Sequence, residues 1–130
     1  MKIDNILLDK LSTQAKESPR LRMNLDLRNS DGDSSQRMLN AIEPGSVVPI
    51  HRHQKTSETV VVLRGRVEEE YYSSEGECVA SYDLAAGGPI CALNIPAGQW
   101  HTLRALDPGT VILEMKDGAY EPVQECDILK

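Results

Sequence analysis

The chain has 130 residues, 40% of them hydrophobic and 26% charged, which is globular composition sized for one domain with a single core. Twenty acidic residues against fourteen basic ones leave a net charge of -6, which excludes the clustered Lys and Arg of a nonspecific nucleic-acid or polybasic membrane-surface binder. No apolar run nears the roughly 20 residues that span a bilayer.

The opening residues, Met1 to Asn5, lack the charged-then-apolar pattern of a secretory signal. Cys78, Cys91 and Cys126 are widely spaced, odd in number and without a CxxC pair. That argues against a disulfide framework or a thiolate zinc site, so reduced thiols and a cytoplasmic location are expected. With no Phe, the core must be built from Leu, Val and Ile, which suit a pleated surface.

In chain order, Asp4 to Glu17 predicts a short amphipathic helix. Asp4 is its N-cap, Leu7, Leu8, Leu11 and Ala15 recur at helical spacing, and Pro19 marks the stop. From Arg20 the period becomes two: Leu21, Met23, Leu25 and Leu27 alternate with Arg20, Arg22, Asn24, Asp26 and Arg28, as in a strand with one buried face. A turn-rich acidic loop follows at Asn29 to Ser35. Extended segments are then expected at Gln36–Ile42, Ser46–Ile50, Glu58–Arg64, Arg66–Tyr72, Cys78–Leu84, Ala92–Ile95, His101–Leu106 and Val111–Lys116. Gly and Pro turn signals separate them. Many short strands at near-regular intervals predict a mainly β sandwich or barrel. The expected organisation is residues 1–19 as a helical segment packed on the barrel, 20–116 as the barrel, and 117–130 as a tail of the same domain.

The three histidines carry the chemistry. Alternation puts His51 and His53 on one face of an extended segment. Glu58 opens a strand five residues later, and His101 follows the turn at Pro96-Ala97-Gly98. HxH alone is common. Three imidazoles and one carboxylate on converging strands, however, suit a borderline divalent ion such as zinc, iron, manganese, nickel or cobalt.

The glycines sharpen this. Gly45, five residues, His51, one residue, His53, four residues, Glu58, six residues and Gly65 reproduce every defining position of the first cupin motif. Pro96-Ala97-Gly98-Gln99-Trp100-His101 resembles the PxGxxH heart of the second. Its flanks depart, with Ile90 where a Gly is usual and Ala105 where an Asn is usual.

Within cupins the chain resembles the WbuC family of cupin-fold metalloproteins. The resemblance extends over Ser18 to Arg22 with Asn24, Gln36 to Gly45, Ala97 to Thr102 and Leu113 to Tyr120. It implies a single jelly-roll β-barrel with a short N-terminal helix, a homodimer, and one divalent metal ion held by His51, His53, Glu58 and His101. Such a set carries net −1, so a divalent ion leaves +1 and an affinity for anionic or oxygen-donor ligands. It also implies a bacterial role near surface-polysaccharide genes, with a sugar or sugar-nucleotide ligand. Lewis-acid isomerase or epimerase chemistry would suit redox-silent metals. An iron-dependent oxygenase and a non-catalytic metal-dependent binding protein are the alternatives.

Four further positions are substrate-pocket candidates. Arg20, Arg22 and Asn24 form the polar face of the first predicted strand, which either looks into the lumen or is solvated. Trp100 is either a pocket wall and stacking platform or rim packing. Glu114 alternates with Ile112 and Lys116. It is a candidate acid/base, a hydrogen-bond partner of a ligand histidine, or a solvent-exposed side chain.

Overall fold

In the computed structural model, which describes residues 1–130, the chain opens with helix α1, Asn5–Glu17. Asp4 Oδ1 accepts from the Leu7 N–H at 3.0 Å, so the expected cap is formed. Eight strands follow: β1 Arg22–Asp26, β2 Ser35–Ile42, β3 Glu58–Arg64, β4 Arg66–Tyr72, β5 Cys78–Ala85, β6 Ala92–Ile95, β7 Trp100–Ala105 and β8 Thr110–Asp117. A 3-10 turn at Glu125–Asp127 lies in the tail.

The strands form two antiparallel sheets, ordered β1-β2-β8-β3-β6 and β5-β4-β7. The mainly β, jelly-roll expectation holds in this two-sheet form. Strand pairing does not run continuously around a closed barrel. The outer face of the larger sheet carries Leu39, Ala41 and Val111, which pack with Leu8, Leu11 and Ala15 of α1 in one buried cluster. Arg64 fixes the helix further, reaching Asp9 Oδ1 at 2.6 Å and Asn5 Oδ1 at 2.9 Å. Between the sheets a second cluster joins Ile42, Val60, Val62, Val67, Leu84, Ile95, Leu103, Ala105 and Ile112. Each such buried aliphatic side chain contributes about 1.5–3 kcal/mol.

Two boundaries differ from the sequence expectation, each for a backbone reason. The first strand begins at Arg22 because Leu21 takes φ +56°, which breaks the pleat and removes Arg20 from the alternation. Ser46–Ile50 joins no ladder; only His51 makes isolated bridges. Pro44 precedes this stretch and Pro49 lies within it, and neither has an N–H to donate to a strand neighbour.

Gly65 links β3 to β4 at φ +81°, and a Cβ there would lie 2.8 Å from the Thr110 Cα. Only glycine permits both the turn and the close approach of β8. The three cysteines are free and exposed, and no helix is long and apolar enough to cross a membrane.

Candidate metal centre

Four side chains converge at one end of the space between the sheets. Glu58 is the first residue of β3 and pairs with Lys116 of β8 on one side and Ile95 of β6 on the other. His101 is the second residue of β7, opposite Tyr71 of β4. The extended segment carrying His51 and His53 joins β7 through reciprocal backbone bonds, His51 N–H to His101 O at 3.0 Å and His101 N–H to His51 O at 2.8 Å. The Gly98 N–H adds a bond to His53 O at 2.8 Å, so the PxGxxH turn is fastened directly to the HxH segment. Each of His51, His53, Glu58 and His101 offers a ligand atom within 4.8 Å of all the others. Bonds of about 2.0–2.2 Å to one ion place donors at most ~4.4 Å apart, so a small adjustment brings all four into range.

The donors are prepared for that role. His51 Nδ1 donates to Pro49 O at 2.8 Å and His101 Nδ1 to Gln99 O at 2.9 Å, which directs the Nε2 lone pair of each ring elsewhere. Burial, reinforced by the charge of His101, lowers His51 to about 4, so its imidazole is neutral at neutral pH. Glu58 and His101 are 7% and 3% exposed. Glu58 Oε2 lies 3.3 Å from His53 Nε2 and 3.4 Å from His101 Nε2. Neither contact has hydrogen-bond geometry, so Oε2 is buried without a hydrogen-bond partner. Burial works to raise the Glu58 carboxyl, but the flanking imidazoles of His101 and His53 outweigh it and hold the group below the usual carboxylate range. A buried carboxylate oxygen with no hydrogen-bond partner, facing imidazole nitrogens, fits a divalent cation.

A cavity of about 370 Å³ opens beside these residues, with Asn24, Met38, Glu58, Glu114 and Lys116 on its wall. A second, of about 400 Å³, lies between His53, Lys116 and the tail from Gly118 to Asp127. Register settles the remaining sequence candidates. Glu114 pairs with Met38 and Val60 on the inward face, one inward position deeper than Lys116. Burial and the Glu58 charge push it up to about 7, and Asn40 Nδ2 donates to it at 3.4 Å.

Asn24 lines the cavity. Arg22 does not; it pairs with Ile42 at the opposite end of β1. Arg20 is exposed outside the strand, so its lumen-facing reading is corrected by the kink at Leu21. Trp100 precedes His101 on β7, so alternation turns it to the opposite face. There its ring lies under the Arg52 guanidinium, 4.5 Å from the centroid, and Arg52 in turn bonds Asp127 Oδ1 at 2.9 Å.

Sequence reasoning missed two inward groups. Glu69 of β4 is fully buried opposite Tyr82 and Leu103, with neither carboxylate oxygen bonded. Burial, with the Glu58 and Glu114 charges adding, pushes it up to about 9. Within the run Glu68-Glu69-Glu70, strand alternation marks the middle residue as the one facing opposite to its neighbours, but not which face is buried. Lys116 shares the face of Ile112 and Glu114 and sits at the level of Glu58, a position that alternation alone cannot assign.

The architecture is shared with solved cupin-domain structures. The capsular polysaccharide assembling protein CapF from Staphylococcus aureus is 18% identical with a TM-score of 0.61, over 77% of this chain and 30% of that one. KdgF from Halomonas sp. is 19% identical with a TM-score of 0.61, over 79% and 84%. A cupin 2 domain-containing protein from Halorhodospira halophila is 18% identical with a TM-score of 0.61, over 79% and 68%. At these identities the likeness shows the cupin fold, and the chain spans under a third of CapF. A comparison with curated proteins finds no match. Residues 3–84, more than half of the chain, match the model of a family described as a domain of unknown function, DUF6016, and the chain therefore belongs to that family.

Proposed function

We propose that this chain is a metal-dependent cupin of the WbuC type, acting on a sugar or sugar nucleotide in bacterial surface-polysaccharide metabolism by isomerase- or epimerase-like chemistry. The observation that carries the reading is the convergence of four donor atoms around the unbonded Glu58 Oε2 beside an open cavity. His51, His53, Glu58 and His101 hold one divalent ion, drawn from zinc, iron, manganese and nickel. When bound, such an ion polarises a substrate carbonyl or hydroxyl as a Lewis acid.

Glu114 is the proton-handling group. It lines the same cavity as Glu58, and its burial raises the carboxyl above the ordinary range, so it holds a proton more readily than a free carboxylate. Asn24 offers an amide to a polar ligand on the same wall. The structural likeness to CapF, a capsular polysaccharide assembling protein, supports the ligand class. The helix, the two sheets and the tail act as a single domain in a cytoplasmic homodimer.

The test is metal analysis of the purified protein, followed by a metabolite screen of the metal-loaded form read by thermal shift. One ion per chain is expected, with a sugar nucleotide converted by the wild type and not by Glu114→Gln. Oxygen uptake dependent on iron and ligand would assign the oxygenase reading instead. Tight binding of a ligand recovered unchanged would assign a binding protein.

A further inference from the structure

We propose that Lys116 is the anion anchor of this site, so that the ligand presents an oxyanion, carboxylate or phosphate, beside the metal. The inference rests on the metal reading of His51, His53, Glu58 and His101, and adds the charge of what they receive.

Lys116 faces inward from β8, with Gln36 of β2 on one side and Glu58 of β3 on the other. It therefore stands level with the metal-binding carboxylate. It is half-buried and lines both larger cavities as well as a third of about 350 Å³, so its side chain forms the ridge where the three meet.

The arginines around these cavities are already engaged, and Lys55, also unpaired, lies on the rim of the second cavity alone. Arg28 holds Asp26 at 2.7 Å, Arg37 holds Asp33 at 3.3 Å and Arg52 holds Asp127 at 2.9 Å. The Lys116 ammonium makes no salt bridge. Its one polar contact is His53 Nδ1, at 3.5 Å. Three N–H donors with a single long contact leave capacity for a ligand.

That contact also gives Lys116 a reason to change partner. An ammonium donating to His53 Nδ1 requires the ring proton on Nε2, the atom that faces Glu58. A ring that binds metal through Nε2 carries its proton on Nδ1, and then has nothing to offer Lys116. Metal loading thus frees the ammonium toward the cavity, where an oxyanion supplies the missing acceptor. Charge acts in the same direction. One carboxylate and a divalent ion leave +1 at the centre, and Lys116 adds a second positive charge on the same wall. By linkage, the anion tightens metal binding as much as the metal tightens anion binding.

The test uses the full chain, zinc-loaded and apo, with glycolate and inorganic phosphate as separate probes and ethylene glycol as the neutral control, all by calorimetry. One or both anions should bind the zinc form more tightly than the apo form, and whichever binds identifies the oxyanion as carboxylate or phosphate. Lys116→Met should weaken that binding about ten- to a hundredfold, the range for a lost charged hydrogen bond. Zinc should remain at one per chain. Lys116→Arg should restore most of the affinity, and Lys55→Met, on the rim of the second cavity, should leave it unchanged. Equal anion affinity in Lys116→Met with zinc retained overturns the anchor and leaves the metal reading standing. Anion binding to neither form of the wild type overturns it too. Failure of the wild type to take up zinc sinks the metal reading and the anchor together, and the stoichiometry alone shows which failure occurred. Were Lys116→Met to unfold, the Arg variant decides: affinity lost with the charge retained overturns the proposal.

Discussion

The two ends of the space between the sheets are built by the same strands and have opposite chemistry. Inward positions of β8 read Ile112, Glu114, Lys116, and those of β3 read Val62, Val60, Glu58. On β7 they read Ala105, Leu103, His101, and on β4 Val67, Glu69, Tyr71. At one end Ile42, Val62, Val67, Leu84 and Ile112 are buried against one another. At the other, buried acids and imidazoles face one another around Glu58. The apolar end pays for the ordering of the chain, and that allows the polar end to keep Glu58 and Glu69 buried with oxygens unbonded.

This division can be broken from either end. The largest effect is expected from His53→Ala, which should cut metal affinity more than about 100-fold, or about 3 kcal/mol, while the circular dichroism spectrum and melting of the apo protein stay near wild type. Full metal occupancy in that variant would show the ligand set to be wrong. At the apolar end, Ile112→Ala should cost about 3 kcal/mol in urea unfolding with metal stoichiometry unchanged. A loss of metal there would mean that the two ends are not separable.

Glu69 sharpens the comparison because it is an acid placed next to the apolar end. Its folded pKa of about 9 lies above the unfolded value of 4.5, so the folded state retains a proton that the unfolded chain releases. Its contribution to stability is therefore undiminished below pH 4.5 and is lost progressively as pH rises toward 9. Glu69→Gln should stabilise the apo protein by about 2 kcal/mol at pH 7 and by almost nothing at pH 4. Equal effects at both values in paired urea melts would contradict this. The smallest effect is expected outside the space, where Arg52→Ala removes the contacts to Trp100 and Asp127. About 1 kcal/mol of stability should be lost, read by thermal melting, together with a shift in Trp100 emission.

Much of this was legible in the residues. The helix, its Asp4 cap and all eight strands follow from periodicity and turn signals, with one expected segment, Ser46–Ile50, that forms no strand. Alternation placed Glu114 with Ile112 and Lys116, and His51 with His53 on one face. Arg20 was counted in the first strand because nothing in its neighbourhood announces that Leu21 takes a left-handed conformation. Trp100 was ambiguous because its nearness to His101 along the chain said nothing of which face of β7 it occupied. Glu69 was passed over because a run of three glutamates reads as a solvated hairpin until β5 and β7 are known to cover β4 on either side.

The sequence by itself determined which residues alternate, which turns require glycine, and that three imidazoles and a glutamate belong to one motif. Those are consequences of local stereochemistry and of donor chemistry, and they need no partner strand. Only the tertiary structure decided the level of each inward side chain, setting Lys116 beside Glu58, Glu114 one position deeper, and Arg22 at the far end. Levels are set by cross-strand register between segments up to about eighty residues apart, which the hydrogen-bond ladders fix and no local pattern records.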